Sequence, residues 1–247
     1  MKKPKIWIIA FAMIFTVACN FTEEIFLEED GSGKISINFD GSELMEMGGD
    51  EMMQTDEKAI DSLISFKQLL EEKKDSIAAL PSEEQAKLKK LEPFSLHMIM
   101  DPEEKVMKFD MFRKFERVDE VNDAFNAFQS ASILGPSGGQ NTPPSPMTSQ
   151  NAASEVSYAF NKNTFTRTAT VIDEALQQQS VDSLQGAEMF LSGSTYTLKY
   201  HFPRKVKSTT AEEATFSADG KTLIYEVKFL DLMKNPELLN LEVELEN

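Results

Sequence analysis

Several segments of the chain alternate apolar and polar residues with a period of two, and this alternation constrains the fold more than any other feature. Within residues 34–40, Ile35, Ile37 and Phe39 fall on one face and polar residues on the other, and residues 196–202 repeat the pattern. Because successive side chains of a strand point to opposite faces, these segments are predicted to be half-buried strands. One solvated face is typical of antiparallel sheets, whereas parallel sheets are usually covered on both faces.

Turn sequences join most of these segments in pairs. Asp219-Gly220 is a strong hairpin turn, and Gly31-Ser32-Gly33 and Asp101-Pro102 are further turn signals. We therefore predict a final strand and four hairpins. The final strand covers residues 239–245, and the hairpins pair residues 25–27 with 34–40, 94–100 with 107–111, 155–160 with 164–171, and 214–217 with 222–229.

Helical spacing appears between the hairpins. Residues 55–80 are predicted to form one long amphipathic helix, with Thr55 as N-cap and Pro81 ending it. Its apolar residues are Ile60, Leu63, Ile64, Leu70, Ile77 and Leu80. Further helices are predicted after Ser82, over 118–128 and over 173–191. The predicted fold class is α+β, an antiparallel sheet built from hairpins with helices packed on one face.

One segment interrupts this order. Residues 135–154 contain four of the ten prolines, three glycines and no charged residue, in a chain that is 27% charged. A long segment of this composition is typical of a flexible linker or insert. We expect residues 31–134 and 155–247 to form the two halves of the α+β domain on either side of it.

The N-terminus has the features of an export signal. Lys2, Lys3 and Lys5 precede an apolar run that closes on Val17-Ala18-Cys19. A helix over residues 6–18 would be about 20 Å long, against a hydrocarbon core of about 30 Å. The run is therefore too short to span a bilayer comfortably, and residues 1–18 are predicted to be a signal peptide.

Thr16-Val17-Ala18-Cys19 resembles the bacterial lipobox. The resemblance implies that the Cys19 thiol is acylated and becomes the first residue of the mature chain. Two or more acyl chains hold a protein stably to a membrane. We predict lipidation at Cys19 and location in the bacterial cell envelope, in the outer membrane, with the periplasmic or surface face left open. Residues 19–30 are expected to be an acidic, lipid-anchored tether.

The mature chain is strongly acidic. Loss of residues 1–18 removes three lysines and no acid, so the formal charge changes from −16 to −19. This charge repels phosphate backbones, which argues against a nucleic acid partner. Cys19 is the only cysteine, which rules out an internal disulfide, and the only tryptophan is lost with the signal.

No set of residues nominates a catalytic, cofactor or metal site. His97 and His201 are the only histidines and both fall on the polar phase of their strands, so a zinc site would require the two strands to converge. No nucleophile motif or phosphate-binding glycine loop is present. Asp30 to Gly33 and Asp219-Gly220 resemble calcium loops only in part and are better explained as turns. The acidic loop with Met45, Met47, Met52 and Met53 could hold Cu(I) or simply pack.

A basic cluster stands out near the last strands: Lys199, Arg204, Lys205 and Lys207. It could meet an anionic or acidic partner, or be a solvated strand end. The run from Tyr200 to Lys207, followed by the Asp219-Gly220 hairpin and an apolar terminal strand, resembles the C-terminal part of LppM-like bacterial lipoproteins. The resemblance implies an envelope lipoprotein and carries over no functional residue.

Three functions remain open. The first is a non-enzymatic envelope lipoprotein that binds an envelope protein or another envelope component. The second is a carrier of a lipid or other apolar ligand, in a groove of the sheet lined by residues such as Phe39, Phe109 and Tyr200. The third is a hydrolase that uses carboxylates the sequence does not single out, since 41 acids make chance pairs inevitable.

Overall fold

Two β-sheets and seven short α-helices make up the described part of the chain. The structure is a computed structural model, and it describes residues 20–43, 45–46, 59–132, 153–184 and 188–247. The predicted signal peptide, Cys19, Met47, Met52 and Met53 lie outside these residues, as does most of the predicted linker. No helix within the described ranges is long and apolar enough to cross a membrane.

The larger sheet has eight strands. In chain order they are β1 (Asn20–Leu27), β2 (Gly33–Asp40), β3 (Ile60–Ser65), β4 (Ser95–Asp101), β5 (Val106–Phe115), β8 (Thr195–His201), β10 (Thr215–Phe216) and β11 (Thr222–Lys228). Their order across the sheet is β10-β11-β8-β1-β2-β5-β4-β3. Every neighbouring pair is antiparallel except β1 and β8, which run parallel. Two strands from distant parts of the sequence therefore meet at the centre of the sheet.

The smaller sheet has four strands: β6 (Ser154–Asn161), β7 (Thr164–Val171), β9 (Val206–Thr209) and β12 (Leu241–Leu245). Their order is β6-β7-β12-β9, and all pairs are antiparallel. Phe165 of β7 packs edge-on against Tyr200 of β8, with ring centroids 5.2 Å apart. The smaller sheet thus covers part of one face of the larger sheet, which we call the inner face.

The helices are α1 (Phe66–Glu72), α2 (Lys74–Ala78), α3 (Ser82–Leu91), α4 (Ala124–Ser132), α5 (Glu174–Ser183), α6 (Glu188–Leu191) and α7 (Phe229–Lys234). Short 3-10 turns cover Val118–Val121 and Pro236–Leu239. Phe229 of α7 stacks on Phe21 of β1 at 4.7 Å, and Phe125 of α4 meets the same ring at 6.0 Å. Burying each such ring contributes about 1.5–3 kcal/mol. These two helices therefore pack on the inner face as well.

The alternation of apolar and polar residues gives the larger sheet one buried face and one polar face. In β1, Phe21, Ile25 and Leu27 are buried in the core, while Thr22 and Phe26 point to the opposite, outer face. No outer-face residue of this sheet belongs to the core formed by the described elements. Except for Ser36, which is 3% exposed, the outer-face side chains of the described strands are half-buried or exposed, so this face is accessible to solvent.

The predicted α+β class is confirmed, and the larger sheet is mostly antiparallel. All four predicted hairpins form, and the last strand begins at Leu241. The parallel pair of β1 and β8 corrects the expectation of a sheet built only from hairpins. The reason is that β1 uses one edge for its hairpin with β2 and leaves the other free for a distant strand.

The expectation of a tether over residues 19–30 is wrong from residue 20 onward. Asn20–Leu27 is a central strand, bonded to β2 on one side and to β8 on the other. Residues 28–32 are the turn that follows, in which Asp30 accepts a hydrogen bond from the Ser32 N–H at 2.9 Å. The alternation of Phe21, Ile25 and Leu27 with polar residues explains why the segment folds as a strand.

The prediction of one helix over residues 55–80 is also wrong. Ile60–Ser65 is the edge strand β3, and helix starts only at Phe66. Ile60 and Ile64 are four residues apart, which is close to one helical turn of 3.6 residues and is also two strand repeats of two residues. The pair therefore fits one face of a helix and one face of a strand equally well. Leu63 lies on the other face and is 68% exposed, so burial gives this edge strand no clear pattern.

The free edge of β6 is capped by the loop before α4. The Val156 N–H donates to Asp123 Oδ1 at 2.8 Å, and the Asp123 N–H donates back to the Val156 carbonyl at 2.8 Å. The Tyr158 N–H donates to Asn122 Oδ1 at 2.9 Å. These bonds occupy backbone groups that an edge strand would otherwise offer to another chain.

Candidate functional site

The outer face of the larger sheet carries rows of polar side chains, one residue from each strand. Cross-strand register places one row over six neighbouring strands. Since neighbouring strands lie about 4.8 Å apart, the row is about 24 Å long. It consists of His97, Asp110, Asn38, Thr22, Thr197 and Glu226. The sheet thus presents hydrogen-bonding groups at regular intervals along this face.

A cluster around Glu24 occupies the centre of this face. His201 Nε2 lies 2.8 Å from Glu24 Oε1, and Lys199 donates to the same oxygen at 2.9 Å. His201 Nδ1 lies 3.0 Å from the Thr222 hydroxyl, and the imidazole stacks on the Phe26 ring at 4.1 Å with an interplanar angle of 3°. The position of the histidine ring is therefore fixed by contacts on both nitrogens and one ring face.

The electrostatics of this cluster favour an ionised carboxylate. Partial burial of Glu24 opposes ionisation, but hydrogen bonds from Lys199 and His201 outweigh it and lower the pKa of Glu24. A carboxylate with a lowered pKa that accepts hydrogen bonds from a lysine and a histidine is poorly suited to accept a proton at neutral pH. The arrangement suits recognition by fixed charges better than proton transfer.

Two grooves lie along the same face. One, of about 420 Å³, lies near the start of β1 and is lined mostly by polar residues such as Asn38 and His97, together with the apolar residues Phe39, Ile99 and Phe109. The other, of about 720 Å³, lies beside the β1–β2 turn and includes Phe26 and Lys34. Both contain ionisable groups and neither is enclosed by a second layer of described elements.

The two histidines do not converge. His97 in β4 and His201 in β8 share the outer face, but β1, β2 and β5 separate their strands, which puts them about 19 Å apart or more. His97 Nε2 instead lies 2.7 Å from Asp61 Oδ1. Over the described ranges, no group of three or more His, Cys, Asp or Glu could hold a metal ion.

The other residues singled out by sequence have structural partners. Lys199, Arg204 and Lys207 of the basic cluster pair with Glu24, Glu29 and Glu244. Asp219 accepts a hydrogen bond from the Lys221 N–H at 3.1 Å, as expected of a turn. Met45 is buried, and its three companions from the predicted methionine loop lie outside the described residues.

The three residues suggested for an apolar groove are mostly buried, and only two of them reach a groove. Tyr200 is fully buried and Phe39 is 8% exposed, and both face the interior between the larger sheet and its covering elements. Phe109 is half-buried and packs against Phe39, with ring centroids 6.1 Å apart. Phe39 and Phe109 nevertheless contribute to the lining of the smaller groove, whereas Tyr200 does not.

Sequence reasoning missed a buried charged cluster on the inner face. Glu23 of β1 is fully buried, and Arg167 of β7 is 3% exposed. Arg167 Nε donates to Glu23 Oε1 and Nη2 to Oε2, each at 3.2 Å. The same guanidinium donates from Nη1 to the Leu239 carbonyl at 3.3 Å. An arginine in this two-pronged geometry matches the shape of a carboxylate.

Three of the four tyrosines complete this cluster. The hydroxyls of Tyr158 and Tyr200 donate to Glu23 Oε1, the first at 2.7 Å, and Tyr196 donates to Oε2 at 2.9 Å. Burial opposes ionisation of Glu23, but the charge and hydrogen bonds of Arg167 and the tyrosines lower its pKa overall. Burial, reinforced by the Glu23 charge, raises the pKa of each of the three tyrosines.

One signal in the sequence could have identified the pair. Glu23 falls on the apolar phase of β1, between Phe21 and Ile25, and Arg167 falls on the apolar phase of β7. A lone charge on the buried face of a strand requires a partner of opposite charge. The cluster is almost entirely removed from solvent and joins the two sheets.

Comparisons with known proteins give one weak likeness. No family model matches the chain, and no curated protein matches it. Among solved structures, the NMR structure of the folded domain of Mycobacterium tuberculosis LppM aligns over 94% of this chain and 91% of that chain. The identity is 10% and the TM-score is 0.37. The chain therefore shows a weak LppM-like resemblance, which assigns it to no family.

Proposed function

We propose that the protein is a non-enzymatic, lipid-anchored component of the bacterial cell envelope that binds an envelope partner through the outer face of its larger sheet. The observation that carries the proposal is the open outer face, on which ordered polar rows stand uncovered by any described element. A buried core on one side and a solvated, preorganised polar surface on the other suit recognition of another molecule.

The proposed anchor fits this surface. Cys19 directly precedes Asn20, the first residue of the central strand β1. A lipid at Cys19 would hold the start of β1 at the membrane. Successive polar rows along β1 would then lie at increasing distances from the membrane. The partner would be an envelope protein or another envelope component that reaches this face from the side.

The anchor is tested by replacing the proposed acylated residue. Cys19→Ser is expected to abolish incorporation of labelled palmitate and to move the protein out of the membrane fraction, because only the thiol can take the lipid. Cys19→Ala is a second variant that should behave in the same way. Unchanged membrane partitioning and processing of either variant would contradict the lipoprotein assignment.

The binding face is tested by site-specific photo-crosslinking of the full-length protein in cells. A photoreactive residue at Thr197, in the centre of the outer face, is expected to give a defined crosslinked species. The same residue at Lys89, an exposed position on α3, is the matched control and should give none. Equal crosslinking at both positions, or none at Thr197, would count against the proposed face.

The competing function is a carrier of a lipid or other apolar ligand. Of the residues suggested for its groove, Tyr200 is fully buried, while Phe39 and Phe109 contribute to a groove that is otherwise mostly polar. Mass spectrometry of organic extracts from the purified protein separates the two functions, after the lipid on Cys19 itself is accounted for. A stoichiometric, non-covalently held apolar molecule would favour the carrier and overturn our proposal.

A further inference from the structure

Two lysines stand side by side on the outer face, at the end of β1 farthest from Asn20. Lys34 of β2 and Lys114 of β5 lie directly opposite each other in the antiparallel register. Directly opposed residues of a sheet have Cβ atoms about 4.5–5.5 Å apart, and like charges in such positions destabilise the pair. The repulsion between the two lysines therefore lowers the stability of the folded protein unless an anion binds between them.

Neither lysine has an acidic partner among the residues that the structure describes. Among the residues that the structure describes, no carboxylate lies within ion-pair distance of Lys34 or Lys114, whereas Lys199 and Lys108 on the same face have acidic partners. The Lys34 ammonium instead lies 4.7 Å from the centroid of the Phe112 ring. This contact holds the charge over the sheet without cancelling it.

The cleft around the two lysines is large enough for a small ligand. Its volume is about 720 Å³, and Phe26, Ser32 and Arg113 also line it. Arg113 is occupied, because it donates to the Glu120 carboxylate at 2.9 Å. The remaining acids of the cleft, Glu28 and Glu116, are exposed and form no ion pair with either lysine. The two free ammonium groups are thus its available charged donors.

We propose that this cleft binds an anionic group, a phosphate or a carboxylate, held between Lys34 and Lys114. The inference rests on the proposed function, since it names the chemistry of a ligand for the same face. An anion between the two ammonium groups forms charge-assisted hydrogen bonds to both and removes their mutual repulsion. The exposed ring of Phe26, opposite Lys34 in β1, gives the body of the ligand an apolar surface.

The position of the cleft favours an anion outside the anchoring membrane. Phe26 is six residues from Asn20 along β1, which corresponds to about 20 Å. With Cys19 inserted in a bilayer, the headgroups of that bilayer would be close to Asn20 and not to the cleft. The ligand is therefore a soluble anion or an anionic group on an envelope polymer.

The test uses the full-length acylated protein in nanodiscs of phosphatidylcholine, titrated with inorganic pyrophosphate by calorimetry. Binding is expected to be saturable and to weaken as the salt concentration rises. The double variant Lys34→Gln/Lys114→Gln should bind at least about tenfold more weakly. The matched control, Lys89→Gln/Lys90→Gln on α3, makes the same change in net charge and should stay within about twofold of the unmodified protein.

A second arm identifies the source of the anion. Vesicles containing phosphatidylglycerol are expected not to bind in a manner that depends on Lys34 and Lys114. The vesicles could bind in a manner that the double substitution abolishes, while pyrophosphate does not bind. That result would contradict a soluble or polymeric source of the anion. No saturable binding of pyrophosphate, or equal weakening in the control variant, would overturn the site.

Thermal unfolding checks that the double variant is still folded, so that a loss of pyrophosphate binding can be assigned to the missing lysines. Because the substitutions remove a like-charge pair, the double variant should melt at the same temperature as the unmodified protein or above it. Crosslinking at Thr197 reports the binding face independently. Crosslinking at Thr197 without pyrophosphate binding would mean that the anion site is wrong and the proposed binding face stands. Pyrophosphate binding without crosslinking would mean that the anion site stands and the proposed binding face is wrong.

Discussion

Glu23 and Arg167 join the two sheets through an ion pair that is almost entirely removed from water, with Arg167 Nη2 3.2 Å from Glu23 Oε2. Taking each charge out of water costs several kcal/mol, and good geometry with further hydrogen bonds is needed to offset this cost. Here both carboxylate oxygens have tyrosine donors as well as the guanidinium. The cluster therefore fixes how β1 faces β7, since any shift would leave a buried charge unpaired.

Removing the cation should strongly destabilise the protein. Arg167→Met leaves the Glu23 charge buried without its partner, and we expect the free energy of unfolding to fall by about 3–5 kcal/mol. Urea unfolding followed by circular dichroism measures the change. The matched control is Arg117→Met, which breaks an exposed pair with Asp119 in which the arginine side chain is 74% exposed, and should leave the free energy of unfolding nearly unchanged. Similar losses in the two variants would show that the buried pair has no special role.

Stability should decrease at acidic pH, and Glu23 should contribute to that decrease. Its pKa in the folded protein is lower than its ordinary value of 4.5. The group therefore adds stability above that value, and the contribution is lost as the pH falls through the lowered, folded-state pKa. Urea midpoints measured from about pH 7 to about pH 3 should fall more steeply for the unmodified protein than for Glu23→Gln. Parallel curves would contradict this assignment.

The buried tyrosines should resist ionisation. Burial, reinforced by the Glu23 charge, raises the pKa of Tyr158, Tyr196 and Tyr200 well above 10.0. Their contribution to stability is complete below the unfolded value of about 10 and is lost as the pH rises towards the folded values. Phenolate absorbance and circular dichroism recorded together should show three of the four tyrosines ionising only as the protein unfolds. Ionisation of these residues before any loss of secondary structure would contradict the burial of the cluster.

The cap on the edge of β6 should depend on Asp123. This residue has a backbone φ of 59° and accepts the Val156 N–H. Asp123→Ala loses the acceptor and puts a less tolerant residue in the left-handed region, which should cost about 1–3 kcal/mol and promote self-association. Asp123→Asn keeps an acceptor oxygen and tolerates the backbone conformation, so it should remain close to the unmodified protein. Light scattering and thermal unfolding test both variants, and equal behaviour would argue against the cap.

Local pattern was sufficient for the strands whose faces differ. Ile35, Ile37 and Phe39 alternate with polar residues, and the structure buries all three. The pattern was insufficient for β3, because an edge strand with an exposed Leu63 has little difference between its faces. Helical spacing then matched equally well, and only pairing with β4 distinguishes the two structures.

The site required information that local pattern does not contain. Glu24 and His201 meet because β1 pairs with β8, and the first pair in that register, Asn20 and Thr195, is 175 residues apart in sequence. The opposition of Lys34 and Lys114 likewise depends on the pairing of β2 with β5. The polar phase of each strand identified the outer face, but no single segment indicates which strands are neighbours across it.

The location of β1 has a mechanical consequence. This strand is bonded to β2 along its whole length and to β8 over residues 20–26. A force applied at residue 19 along the strand would load both ladders in shear, so many hydrogen bonds would have to fail together instead of one after another. A lipid on Cys19 would therefore transmit tension from the envelope into the middle of the larger sheet, the part of the molecule best able to bear it.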